Sequence, residues 1–307
     1  MKLDESQTFS EQVKSEICYN ARDCANIESI VFSCLKNIGE YDVNSNCIEL
    51  KTQYMSIVKF FRQFCSFNNK YKLQISVSNK KTLKNNRTNY LLKFFSTNID
   101  DLIDKLSLKN LNFDDFNLCR NILIGAFLSG GSVNNPISRT YHLEFRTLSS
   151  EYKDIIFSAL QKFDLHPKLL EHHNKFVIYF KKSTEISDLL KIFNAQNSMF
   201  YLEDNRIERD MFNNLQRLVN LEVFNLNKTA KAAIEQSKIC QIIQTSVYYQ
   251  TLNQREKIYC DIRANNNKAS MQMICSLMNQ KLPLENQITK GSLTHVVKKM
   301  RAIYTKI

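Results

Sequence analysis

The feature that most constrains this chain is that its first two thirds reads twice. Cys47-Ile48-Glu49-Leu50-Lys51-Thr52 resembles His142-Leu143-Glu144-Phe145-Arg146-Thr147. Both alternate apolar and polar side chains, the pattern of a half-buried strand. An apolar helical stretch precedes each, at 27–38 and 122–128, and an amphipathic helix follows each, at 55–67 and 152–163. Two further strand-like runs come next, 72–78 and 89–95 in the first copy, 168–172 and 175–181 in the second. Each copy closes on a matched helix start. Ser96-Thr97-Asn98-Ile99-Asp100-Asp101-Leu102 parallels Ser183-Thr184-Glu185-Ile186-Ser187-Asp188-Leu189, where Ser or Thr ahead of an acid predicts an N-cap. The first strands lie 95 residues apart and the closing helices 87, so the first copy carries a longer hairpin. The predicted order is helix, two strands, helix, two strands, helix, given twice.

The chain's 307 residues carry a net charge of +12, and the excess is localised. Residues 68–93 hold seven cations and no acid; residues 252–307 hold ten cations and three acids. Two basic patches on an otherwise near-neutral chain point to a polyanion at two surfaces, with solubility alone as the bland alternative. No run of eighteen apolar residues exists to span a bilayer, and Met1 to Ser10 lacks the apolar core of a secretory signal. The nine cysteines include no Cys-x-x-Cys pair, which argues for buried, reduced thiols in a cytosol rather than disulfides or structural zinc. With only five glycines, phosphate-cradling loops are scarce.

The most specific string runs from Leu123 to Pro136: an apolar helix with Gly125 on one face, then Gly130-Gly131 at its end. A small residue allows a close helix approach, and terminal glycine allows a positive-φ cap. This string resembles a LAGLIDADG helix, with Leu123, Gly125 and Gly131 on its Leu, Gly and final Gly. Modules of that kind have the same αββαββα order and pack tandem motif helices at a pseudo-two-fold interface. Homing endonucleases place a metal-holding acid at the eighth motif position. Here that position is Gly130, and, with Ser29 aligned to Gly125, Cys34 in the first copy. Neither supplies a carboxylate.

With its basic C-terminus, the chain resembles the bacterial WhiA family of DNA-binding regulators over nearly its whole length. The resemblance rests on Gly125 to Pro136, Tyr141-His142-Leu143-Glu144, Arg209-Asp210-Met211, Arg217-Leu218-Val219-Asn220 and Asn225-Leu226-Asn227-Lys228-Thr229. It implies an α+β fold: tandem LAGLIDADG-like modules at 1–110 and 111–203, a helical linker at 204–248, and an all-α helix-turn-helix domain at 249–307. It also implies a cytoplasmic, nucleoid-associated transcription factor linked to cell division and chromosome segregation, not an enzyme. The expected partner is double-stranded DNA, with RNA polymerase or other regulators as further candidates, for a monomer without cofactor, metal or membrane contact. An active homing endonuclease and an RNA-binding or scaffold protein are the rival readings.

In the last segment, 252–264 and 269–278 read as helices, and a third starts near Thr289. Leu293, Val296, Val297, Met300 and Ile303 give that third helix one apolar face. Lys290, Ser292, Thr294, His295, Lys298, Lys299 and Arg301 occupy the rest, which suits a recognition helix. WhiA proteins carry a helix-turn-helix here, and Lys290, His295 and Lys299 match the family string. Thr294, Val296 and the Gly–Ser order depart from it, so base preference stays open. A basic helical bundle that contacts protein is the alternative.

On the paired strands, Glu49, Lys51, Glu144 and Arg146 share the polar side. LAGLIDADG modules set that face in a major groove, and the bland alternative is a cross-strand ion pair. Lys80, Lys81, Lys84, Arg87 and Arg139 complete this weaker set. Arg206, Arg209, Arg217, Lys228, Lys231 and Lys238, interleaved with apolar residues, read as part of linker helices, for which a backbone phosphate is a candidate contact. His166, His172 and His173 cluster in sequence, but adjacent histidines on a strand point apart, against a metal site. The phenylalanines and tyrosines follow apolar periodicity and read as core.

Overall fold

A computed structural model of the chain describes residues 7–23, 27–82, 85–106, 111–172 and 175–307. Contacts divide it into two units, Met1–Arg209 and Asp210–Ile307. The first copy of the repeat comprises α2 (Ile27–Ile38), β1 (Glu40–Asp42), β2 (Cys47–Thr52), α3 (Met55–Phe67), β3 (Tyr71–Thr82), β4 (Asn85–Ser96) and α4 (Ile99–Leu106), after an additional helix α1 (Phe9–Asn20). The second comprises α5 (Phe116–Gly130), β5 (Gly131–Val133), β6 (Leu143–Thr147), α6 (Ser150–Gln161), β7 (Lys168–His172), β8 (Lys175–Phe180) and α7 (Ser183–Ile192). Each copy forms one antiparallel sheet, ordered β1-β2-β4-β3 and β5-β6-β8-β7. Three-residue β1 and β5 are too short to show alternation in sequence.

The copies meet where α2 and α5 pack side by side. Asn121 Nδ2 donates to Ser29 Oγ (2.9 Å), and Asn37 Nδ2 donates to Ser129 Oγ (2.8 Å). Between these bonds a Cβ on Gly125 would lie 2.5 Å from Ser33 Cβ and 2.6 Å from the Ile30 carbonyl. Ser33 Oγ is 2.7 Å from the Ile122 carbonyl and 2.6 Å from Tyr152 Oη. The facing residues show that Ser33, not Ser29, is the counterpart of Gly125. Ile38 then answers Gly130, and Gly39 answers Gly131. The pairing of Cys34 with Gly130 was therefore one helical turn out, because the connection from motif helix to second strand is longer in the second copy. The Cys34 thiol instead donates to the Gly125 carbonyl (3.2 Å).

Two local expectations are also corrected. No glycine has positive φ. Gly131 is extended (φ −84°, ψ 152°), and a Cβ on Gly130 would strike the Arg146 carbonyl and come 2.8 Å from Asn37 Nδ2. Close approach, not a left-handed cap, excludes side chains there. At the closing helices, Asn98 Oδ1 accepts from Asp101 N (3.2 Å) to cap α4, and α7 starts without a side-chain cap.

One core spans both copies. In the first, Phe64, Tyr71 and Phe94 stack and Phe61 meets Phe94 edge-on; in the second, Phe193 packs against Phe127 and meets Phe145 edge-on. The N-terminal α1 covers this core and opens on a capping box between Thr8 and Glu11. Its Lys14 is 2% exposed, with the ammonium 4.1 Å from the Tyr54 ring centroid; burial pulls its pKa down to about 8. Glu16 accepts from Asn197 N (2.7 Å) and Ser198 N (3.0 Å), which caps α8 (Gln196–Gln244). In place of several linker helices, α8 is one helix of 49 residues, with no glycine or proline to break it. The eight described cysteines are free thiols, six of them buried. No helix is long and apolar enough to cross a membrane among the described residues.

The second unit adds α9 (Gln254–Asn265), α10 (Met271–Lys281) and α11 (Lys290–Tyr304). Their core includes Tyr259, Ile274, Met278, Leu293, Val297 and Met300, but also Ile239, Cys240 and Ile243 of α8. A boundary at 249 cuts through it. Arg263, 1% exposed, donates to Gln236 Oε1 (2.8 Å) and the Ala269 carbonyl (2.6 Å), stapling α9 to α8.

Gly125→Ala should lower stability by about 2 kcal/mol in urea unfolding, because overpacking at Ser33 outweighs the gain in helix propensity. Gly291→Ala, whose Cβ meets nothing nearer than 3.8 Å, should instead add about 0.5 kcal/mol. Equal effects would sink the close-approach argument. For Lys14, the folded pKa lies below its ordinary 10.5, so the unfolded chain binds the extra proton and stability rises from pH 8 to 10.5. Lys14→Met should therefore stabilise the protein at pH 7 by up to about 3 kcal/mol, an advantage that shrinks through that window. A pH-independent difference would refute this.

Candidate nucleic-acid interface

The long turn into α11 is fixed from both sides. Asn279 Oδ1 accepts from Ile288 N (2.9 Å), and Asn279 Nδ2 donates to the Ile288 carbonyl (3.0 Å). Thr289 then caps α11, its Oγ1 accepting from Ser292 N (3.3 Å). Leu293, Val296, Val297 and Met300 are buried, so the opposite side of α11 faces out. Lys290, Thr294, His295 and Lys298 are exposed there, and Ser292 is half-buried at the flank.

The remaining two cations of the predicted set are already engaged. Lys299 Nζ is 2.7 Å from Glu256 Oε1, and the Glu256 side chain is 8% exposed. The same carboxylate accepts from Asn253 N (3.1 Å) in the capping box of α9. Arg301 lies 3.2 Å from Glu235. Sequence reasoning missed Glu256 and Asn279; the Asn253-x-x-Glu256 spacing is a capping signal that was available.

On the sheets, the polar faces are laced with ion pairs. Lys93 lies 2.7 Å from Glu49 and 3.9 Å from Asp42, and the Glu49 hydrogen bond raises its pKa. Asp42, Cys47 and Glu49 bring possible metal-ligand atoms within 4.8 Å of one another, but the Lys93 ammonium already pairs with both carboxylates. Lys51 is 3.5 Å from Glu40. In the second copy Arg146 pairs with Glu144, and His142 Nε2 lies 3.1 Å from the same carboxylate. Arg139 is exposed on the β5–β6 loop, which Arg209 holds through the Pro136 (2.7 Å) and Ser138 (2.8 Å) carbonyls. Lys80 pairs across the β3–β4 hairpin with Arg87, and Lys81 with Asn86; their side chains, and Lys84 altogether, lie outside the described residues. His172 is exposed on β7, His166 approaches the Asp164 carbonyl (3.2 Å), and His173 lies outside the described residues.

The family model of the WhiA LAGLIDADG-like domain matches residues 119–212, and that of the WhiA C-terminal HTH domain matches 215–304. The chain belongs to the WhiA family. A probable cell division protein WhiA of Pediococcus pentosaceus is 27% identical over 98% of this chain and 99% of its own length. The one of Listeria monocytogenes is 34% identical over 61% of this chain and 57% of its own. Among solved structures, full-length WhiA from Thermatoga maritima matches with a TM-score of 0.61 at 21% identity, covering 98% of this chain and 99% of that one. The α+β organisation with a helical C-terminal region is thus the WhiA fold. Neither domain match reaches the first copy, whereas the full-length WhiA alignments do.

Adjacent Lys298 and Lys299 should behave differently. Lys299→Ala strands the Glu256 carboxylate and should cost about 1 kcal/mol in chemical unfolding, after allowance for the partly exposed ammonium. Lys298→Ala should change stability by less than about 0.5 kcal/mol. Indistinguishable midpoints would show that the Glu256 pair contributes nothing.

Proposed function

We propose that the chain is a sequence-specific DNA-binding transcriptional regulator of the WhiA type, acting in cell division and chromosome segregation, without nuclease activity. The outward face of α11 carries this reading: Lys290, Thr294, His295 and Lys298 are exposed and not ion-paired among the described residues, on a helix seated by four buried apolar side chains. Lysines there suit phosphates, while Thr294 and His295 suit base edges. On the repeat, the eighth motif positions are Ile38 and Gly130, which offer no carboxylate for a metal. Cleavage therefore has no acid where this scaffold would need one. A protein of this kind works in the cytoplasm on the nucleoid.

The test is binding of full-length protein to a genomic duplex pool across a salt series, with Mg²⁺ present in a parallel cleavage assay. Affinity should fall steeply with salt. Lys298→Ala should flatten the slope by about 0.9, and His295→Ala should relax sequence preference with little change in slope. Specific double-strand cuts, or affinity indifferent to both substitutions, would overturn the reading.

A further inference from the structure

A cavity of about 250 Å³ opens in the second unit between α8, α9 and the start of α10. Arg263 of α9 lines it, 1% exposed, and every acceptor around its guanidinium is neutral. Gln236 Oε1 accepts from Nε (3.1 Å) and Nη2 (2.8 Å), and the Ala269 and Asn266 carbonyls accept from Nη1 (2.6 Å and 3.4 Å). The remaining Nη2 contact is the Met271 sulfur at 3.7 Å, a weak acceptor. A buried cation without a counter-ion is costly, and an anion in the cavity would relieve that cost.

Gln236 adds a donor. Its Oε1 also accepts from Tyr259 Oη (3.2 Å), and three donor atoms around one oxygen force the orientation of the amide. The Gln236 Nε2 on the other branch donates to nothing among the described residues, although Gln236 lines the cavity and is only 7% exposed. Lys228 and Thr229 line the exposed end, and Lys228 is not ion-paired among the described residues. No acid lines the cavity. Met271 is the first residue of α10, so the positive end of that helix adds to the same field. Ala232 and the Met271 side chain supply an apolar wall.

We propose that this cavity binds a small phosphate monoester, with its oxyanion toward Arg263, Gln236 Nε2, Thr229 and Lys228 and its apolar body against Ala232 and Met271. Donors and cations without a carboxylate select an anion, and a phosphate brings three strong acceptor oxygens to meet several donors at once. The volume admits a small body, not a large cofactor. The apolar wall favours a free ester over a DNA phosphate, whose flanking sugars are polar. The inference does not depend on α11 reading DNA.

The experiment follows thermal unfolding of the full-length protein with phenyl phosphate, inorganic phosphate, phenol, or sodium chloride at matched ionic strength. Phenyl phosphate at about ten times its dissociation constant should raise the midpoint by about 3 °C or more. Inorganic phosphate should bind about tenfold more weakly, and phenol and sodium chloride should give no shift. Lys228→Gln should weaken phenyl phosphate by about tenfold. Ala232→Leu keeps every charge but fills the cavity, and should abolish the shift. Lys228 is exposed, so its variant decides the matter even where Ala232→Leu alters the ligand-free midpoint. No shift in wild type, an equal shift with phenol, or an undiminished shift in Lys228→Gln overturns the inference. Displacement of phenyl phosphate by a short duplex, with duplex binding weakened by Ala232→Leu, assigns the cavity to a DNA phosphate and overturns it equally.

Discussion

The approach of α2 to α5 at Gly125 is the constraint on which the first unit depends. Without a Cβ at Gly125, Ser33 lies against the opposing backbone, and the Asn–Ser bonds one turn above and one turn below close on both sides. The helix pair then sets each copy's sheet directly behind its motif helix, since β1 follows α2 and β5 follows α5 with hardly a connecting residue. The same closeness explains the motif's end. Gly130 lies so tightly on the Arg146 carbonyl that any side chain there, a carboxylate included, would displace β6. The interface is a packing device, and the Arg146 backbone fills the space beyond Gly130.

Much of this was legible in the sequence. The strands, their two-residue alternation and the helix boundaries of α2 and α3 follow from apolar periodicity, and Gly125 marked the contact face. The register between copies was not legible, because alignment by strands carries a three-residue loop difference into the helices and lands one turn away. That error is physical in origin: a helix face repeats every three to four residues, so Ser29 and Ser33 lie on one side and both look like partners of a small residue. Helix α1 was missed although Thr8 and Glu11 spell a capping box. At the candidate interface, the exposed set on α11 was readable from its apolar stripe, but the partners of Lys299 and Arg301 come from α9 and α8, and such tertiary contacts leave no local signal.

Counting cations therefore overstates what a basic segment offers to DNA. The C-terminal excess includes Arg263, consumed inside the core, and Lys299, tethered to a nearly buried carboxylate. On the outward side of α11, Lys290 and Lys298 are exposed, and neither is ion-paired among the described residues. A surface with fewer free charges, rigidly placed, discriminates better than a larger diffuse excess, because mobile cations give affinity without register.

The two sheets differ for the same reason. Lys51 and Glu40 are 71% and 77% exposed, so their pair is worth little and a phosphate could take the lysine at small cost. Arg146 is different: it and His142 hold Glu144, whose side chain is 11% exposed. Drawing Arg146 away would leave a poorly solvated carboxylate without its nearest cation. The Lys51–Glu40 pair can thus be exchanged more readily than the Arg146–Glu144 pair, whereas Lys93 in the first copy stays on a half-buried Glu49. The same strand pattern in sequence yields two ion pairs of unequal readiness, Lys51–Glu40 and Arg146–Glu144, and the cause is the burial of one glutamate rather than the number of basic residues around it.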